Sequence, residues 1–164
     1  MAENETLPKT MTLGWREWVA LPELGIPAIK AKLDTGARTS ALHAFDLEAY
    51  RENGIYLVRF GIHPLQKRLE PAIYCTSNVI DYRKVTDSGG HMEERYVIST
   101  NLSIAGRTRT IELTLTNRET MNFRMLLGRT AMKHLIRVDP AKSFVLGREL
   151  AGLYFNPTSQ GRPN

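Results

Sequence analysis

The ten residues Arg107–Thr116, RTRTIELTLT, alternate strictly in polarity. Thr108, Thr110, Glu112, Thr114 and Thr116 share one side, while arginines mix with Ile111, Leu113 and Leu115 on the other. A period of two places these sets on opposite faces of a strand, whereas a helix would scramble them. Comparable short alternations recur between turn signals along the chain, with neither an internal repeat nor a heptad pattern. An all-β domain is the architecture this predicts.

Leu13 to Leu21 predicts a first strand, Pro22 to Gly25 its turn, and Ile26 to Leu33 a second strand. Thr39 to Phe45 follows as a third, and Glu52, Asn53 and Gly54 mark a turn. Ile55 to Ile62 and Leu69 to Tyr74 fit an antiparallel pair joined by His63, Pro64, Leu65 and Gln66. Ile80 to Thr86, the turn Asp87 to Gly90 and the long return Met92 to Ile104 read as a hairpin. Ala105 and Gly106 turn the chain into Arg107–Thr116. Phe123 to Leu127 is nearly continuous in apolar residues, as in a strand buried on both faces. One helix is expected next. Ala131, Met132, Leu135 and Ile136 recur at helical spacing, Thr130 stands near the N-cap, and Asp139 and Pro140 end the pattern. Ser143 to Leu146 then reads as a closing strand.

At 164 residues, 42% hydrophobic and 24% charged, the chain fits one soluble domain over residues 11–150, flanked by flexible tails at 1–10 and 151–164. No apolar run is long enough to span a bilayer, and the polar, acidic start is unlike a secretory signal. A cytoplasmic protein with no membrane partner is the expectation. The lone Cys75 cannot form an internal disulfide and reads as a buried small hydrophobe. The net charge of +5 and pI near 9.5 favour acidic partners.

Chemistry concentrates in Lys32 to Ala44, KLDTGARTSALHA. An apolar strand runs into Asp34, Thr35 and Gly36, which places a carboxylate on a tight turn and makes Asp34 a candidate catalytic acid. The threonine hydroxyl can brace such a turn, and glycine lets the backbone approach closely. Asp46, Asp81, Asp87 and Asp139 lack this setting and read as surface or cap residues. No glycine-lysine loop is present to cradle phosphate, and no HExxH or Cys/His pair has zinc-ligand spacing. His43, His63, His91 and His134 are scattered and read as packed or solvated side chains. No metal and no cofactor are expected.

Apolar-apolar-Asp-Thr-Gly-Ala, followed a domain's length later by Leu126, Leu127, Gly128 and Arg129, resembles the retroviral-type (retropepsin-like) aspartic protease protomer. The resemblance runs from about Gly14 to Leu146. It implies a closed acid-protease barrel with one short C-terminal helix, forming one protomer of a two-fold dimer. It further implies that Asp34 is catalytic, that Thr35, Gly36 and Gly128 support its turn, and that Ala37, Arg38 and Arg129 contact substrate. The glycine-rich flap tip falls at Asp87, Ser88, Gly89 and Gly90. Two carboxylates about 3 Å apart share a proton, so that one activates water while the other protonates the peptide carbonyl. With a single Asp-Thr-Gly, the implied active form is a homodimer with Asp34 from each copy.

KLDTGARTSALHA and LLGR also resemble a bacterial and archaeal group labelled as ATP-dependent zinc proteases and linked with the ligase that adds glutamates to a small-subunit ribosomal protein. That resemblance implies an acidic, glutamate-rich or glutamylated protein tail as substrate, with a glutamate ligase or ribosomal protein as partner. Retroviral enzymes carry an acid two residues after the catalytic glycine, where this chain has Arg38. Arg38, with Arg129 and Lys32, is therefore expected either to receive a substrate carboxylate or to pair with a nearby acid such as Glu93 or Glu94. Two other functions stay open at this point. One is a proteolytically inactive module regulating the ligase. The other is a nucleic-acid binder using Arg107 and Arg109, for which no RNP, KH or zinc-knuckle signature is present and no specific site is expected.

Overall fold

In the computed structural model, residues 9–86, 89–117 and 122–155 are described. Twelve strands follow the chain: β1 Met11–Gly14, β2 Arg16–Leu21, β3 Ile26–Leu33, β4 Ser40–His43, β5 Phe45–Glu52, β6 Ile55–Ile62, β7 Ile73–Asn78, β8 Asp81–Thr86, β9 Met92–Ile104, β10 Arg107–Thr116, β11 Met125–Leu127 and β12 Ile136–Asp139. One helical turn, α1 (Arg129–Met132), and two 3-10 segments, Pro22–Leu24 and Glu149–Tyr154, complete the element order. The fold is all-β.

A main sheet of seven strands runs in the order β10-β4-β11-β3-β2-β9-β8, and β10 also pairs with β9. The sheet thereby curls back on itself. The β9–β10 ladder is continuous from Arg107 opposite Ile104 to Thr114 opposite Val97, while β2 meets β9 only at Ala20 opposite Ser103. Closure of the barrel is loose at that seam. β5, β6 and β7 form a separate antiparallel sheet, and β1 pairs in parallel with β12.

The core lies inside the curl. Val19, Ile29, Leu42, Phe60, Ile98, Leu113, Met125 and Leu127 are fully buried, each contributing about 2 kcal/mol by leaving water. Cys75 packs in the same cluster and donates its Sγ–H to the Leu24 carbonyl; burial pushes its thiol pKa up to about 11. A smaller cluster of Trp18, Ala28 and Leu65 sits on the other face of β3, covered by Phe144, Leu150, Leu153 and Tyr154.

The structure departs from the sequence expectations at five places. The strand expected over Leu13–Leu21 is two, because β1 leaves for β12 while β2 pairs with β3. Gly14 lies at that divergence, where a Cβ would fall 2.4 Å from the Lys142 carbonyl oxygen. Phe45–Glu52, not anticipated as a strand, forms β5. The strand expected at Leu69–Tyr74 starts later, at Ile73, since Pro71 offers no N–H to a ladder and Leu69 is exposed.

The expected helix is a single turn. His134 takes a left-handed conformation (φ 66°), the Arg109 guanidinium caps the Ala131 and Lys133 carbonyls, and Ile136 enters β12 opposite Met11. Ser143–Leu146 is a loop, with Phe144 at φ 55°. Its Val145 and Leu146 N–H groups donate to the buried Glu17 carboxylate at 2.9 and 3.0 Å. Of the expected C-terminal tail, residues up to Phe155 are described; the Tyr154 hydroxyl accepts from the Ala28 N–H at 3.2 Å and donates to the Ala28 carbonyl.

Candidate active site

Asp34 follows β3 directly, and its backbone is tied to β11. The Asp34 N–H donates to the Leu127 carbonyl at 2.8 Å. β11 lies between β3, to which it is parallel, and β4, to which it is antiparallel. Three strand ends therefore meet behind the turn. The turn itself is closed by Ala37 N–H donating to the Asp34 carbonyl at 3.2 Å, and by Gly36 N–H donating to Asp34 Oδ1 at 2.9 Å. This last bond fixes the carboxylate's orientation.

Gly128 is required by space. A Cβ there would fall 2.5 Å from the Thr39 carbonyl oxygen, and its N–H donates to Ser40 Oγ at 3.0 Å. The outgoing chain is held by Arg129 N–H on the Ala37 carbonyl and by the Thr130 N–H and hydroxyl on the Arg38 carbonyl. Arg129 adds a side-chain bond, its guanidinium donating to the Thr35 carbonyl at 3.0 Å. Thr35 is thus braced through its backbone, whereas its hydroxyl makes no hydrogen bond among the described residues.

A family profile described as "Retropepsin-like aspartic endopeptidase RimB" matches residues 12–149. The chain belongs to this RimB-like family. It is 46% identical over 137 residues to a protein of Shewanella halifaxensis named "Probable alpha-L-glutamate ligase", a match covering 84% of this chain and 30% of that protein. A protein of the same name from Parasynechococcus marenigrum is 43% identical over 141 residues, covering 86% of this chain and 30% of the other. The chain spans 30% of the length of these curated relatives. Among solved structures, the Legionella pneumophila protein Lpg0085, of unknown function, superposes with a TM-score of 0.69 at 28% identity, covering 84% of this chain and 98% of that one.

In this RimB-like chain the half-buried Asp34 opens into a cleft of about 1230 Å³. Gly36, Ala37, Arg38 and Thr39 line one wall; Arg83, Lys84, Val85, Thr86 and Gly89 of the hairpin line another; Thr110, Glu112 and Thr116 of β10 line a third. Among the described lining residues, Arg38, Arg83, Lys84 and Arg95 are cations and Asp34 and Glu112 carboxylates; Arg83 is paired with Asp81 and Glu112, and Arg95 with Glu93. Arg38 and Lys84 are left as lining cations without an ion pair among the described residues, and such charges at a cleft attract anions.

Arg38 is exposed and bridges the cleft to a smaller hollow of about 460 Å³ shared with Thr35, Arg129 and Lys133. Its guanidinium has no ion pair among the described residues. The two acids considered for it are engaged elsewhere, Glu93 with Arg95 at 3.3 Å and Glu94 with the Tyr82 hydroxyl at 3.3 Å. Lys32, opposite Arg16 in the β2–β3 ladder, lines neither hollow. Gly89 lines the cleft and Gly90 has φ 87°, a left-handed value suited to glycine at a hairpin tip. Asp87 and Ser88 lie outside the described residues.

Sequence reasoning passed over several residues of the site. Ser40 supports Gly128, and its carbonyl accepts from the buried Thr114 hydroxyl at 3.3 Å. Arg83, Lys84, Arg95 and Glu112 read only as strand charges until β8, β9 and β10 are seen to line one cleft with Asp34. For Glu112 the sole sequence signal is a charge interrupting the threonine face of RTRTIELTLT.

Proposed function

We propose that this chain is an aspartic endopeptidase whose catalytic dyad is completed by Asp34 of a second copy, and that it hydrolyses peptide bonds in acidic, glutamate-rich segments. The observation carrying this reading is the placement of Asp34. Its backbone is locked by Leu127 and Ala37, its Oδ1 is held by Gly36 N–H, and the carboxylate borders a peptide-sized cleft rich in cations. One carboxylate alone cannot both take a proton from water and give one to the leaving amine. Two facing copies can, because mutual repulsion keeps one protonated while the other is ionised. The ionised carboxylate draws a proton from water as its oxygen attacks the peptide carbonyl; the protonated one donates to the carbonyl oxygen and, after collapse, a proton reaches the amine.

Arg38 suits the role of binding a substrate carboxylate, since its fork is exposed at the mouth of the cleft and unpaired among the described residues. The reading is tested with purified protein, glutamate-rich and neutral peptides, a metal chelator and no ATP. Hydrolysis that persists with chelator and disappears in Asp34→Ala supports it. Absence of cleavage in a preparation shown to be dimeric overturns it.

A second reading has its own support. The relatives named as glutamate ligases contain a region like this chain within 30% of their length. On that reading the chain is a module that binds or regulates a glutamate ligase, with its cleft serving as a docking surface.

A further inference from the structure

The β8–β9 hairpin, which lines the cleft with Asp34, carries charges that the turn at Asp34 does not use. Arg83 on β8 and Arg95 on β9 stand directly opposite each other in the antiparallel ladder, and both line the cleft. Like charges at directly opposed positions are unfavourable. Each is offset by an acid on its own strand, Asp81 for Arg83 at 2.9 Å and Glu93 for Arg95 at 3.3 Å. Arg95 is buried, with Nη1 donating to Thr114 Oγ1 at 3.1 Å, so its charge is fixed in place.

Arg83 differs. It keeps 34% of its side-chain surface exposed and reaches from β8 across to Glu112 on β10 at 3.3 Å, where Glu112 is 53% exposed. A solvent-open pair of that length is worth little. Glu112 is itself a cleft wall, so a carboxylate entering the cleft competes with it for the same guanidinium.

We propose that Arg83 is a specificity-determining residue that exchanges Glu112 for a carboxylate of the bound peptide, so that this wall of the cleft prefers an acidic side chain. The inference rests on the reading of the cleft as a peptide site. It makes the two ends of one ion pair behave oppositely: removing the arginine weakens acidic ligands, whereas neutralising its glutamate strengthens them.

The test is fluorescence anisotropy of a labelled peptide containing consecutive glutamates, and of its glutamine counterpart, on the 164-residue chain carrying Asp34→Asn, so that binding is read without cleavage. Adding Arg83→Gln is expected to weaken the glutamate peptide about tenfold and leave the glutamine peptide unchanged. Adding Glu112→Gln is expected to tighten the glutamate peptide about threefold, again without effect on the glutamine peptide. If Arg83→Gln fails to fold, Glu112→Gln decides alone. Unchanged or weakened glutamate-peptide binding in Glu112→Gln overturns the proposal, as does a folded Arg83→Gln protein that keeps its preference for glutamate. Failure of both peptides to bind overturns it together with the reading of the cleft. Binding as expected without hydrolysis by the protein with Asp34 intact overturns the peptidase reading alone.

Discussion

The guanidinium of Arg129 donates to the carbonyl of Thr35 at 3.0 Å, so the first residue of α1 holds the turn that presents Asp34. The same segment reaches the turn through Arg129 N–H on Ala37 and Thr130 on Arg38. Replacing Arg129 with Met removes one charge-assisted bond at an exposed site, expected to cost about 1 kcal/mol of stability. Activity is expected to fall more than stability, by about tenfold or more, because the turn loses its fixed geometry. Thermal unfolding and kcat measured on one preparation separate the two effects.

Two glycines of the site are expected to fail differently. In Gly128→Ala the new methyl meets the Thr39 backbone at 2.5 Å, where nothing can yield without moving β4, and a loss of about 3 kcal/mol is expected. In Gly36→Ala the methyl meets Asp34 Oδ1 at 3.2 Å, which a small turn of the carboxylate relieves. Urea unfolding should separate a destabilised Gly128→Ala from a near-normal Gly36→Ala, while peptide hydrolysis drops in both.

Much of this was legible in the sequence, for a physical reason. Period-two alternation survives over residues 29–33 of β3, 98–104 of β9 and 107–113 of β10, where buried and more exposed side chains alternate, and Asp-Thr-Gly and Leu-Leu-Gly-Arg mark backbone positions where few residues fit. What stayed hidden depends on contacts far along the chain. β5, FDLEAYRE, is stabilised by pairing with β6 rather than by a buried stripe of its own. Ile136 looks helical by spacing until β1 offers it a parallel ladder. The cleft's cations were invisible as a group because Arg38, Arg83 and Arg95 come from different strands and turns.

Glu17 shows the same limit most sharply. At a position where a strand charge normally faces water, it is fully buried and accepts N–H bonds from Gly14 at 2.7 Å, Val145 at 2.9 Å and Leu146 at 3.0 Å. Glu17→Ala strands those donors and is expected to cost about 4 kcal/mol. Glu17→Gln keeps one acceptor and should fall between, as read from urea midpoints.

The Tyr154 phenol, paired with both backbone groups of Ala28, is pushed up to about 12 by burial. Its ordinary value is about 10, so the folded state holds the proton more tightly than the unfolded chain. Its contribution is therefore full below about pH 10 and is lost as pH rises towards 12. Tyr154→Phe should remove about 1 kcal/mol at neutral pH and flatten the alkaline decline in stability over that window. Thermal midpoints of both proteins across the alkaline range check this.

The central claim is a dyad built from Asp34 of two copies, and mixing subunits tests it most directly. Wild-type and Asp34→Asn chains are combined in equal amounts, dissociated, allowed to reassociate, and assayed on a glutamate-rich peptide. If each site needs both carboxylates, mixed dimers are inactive and about a quarter of the activity of the same total amount of wild-type protein remains. Retention of about half would mean that each chain works alone, and would contradict the account.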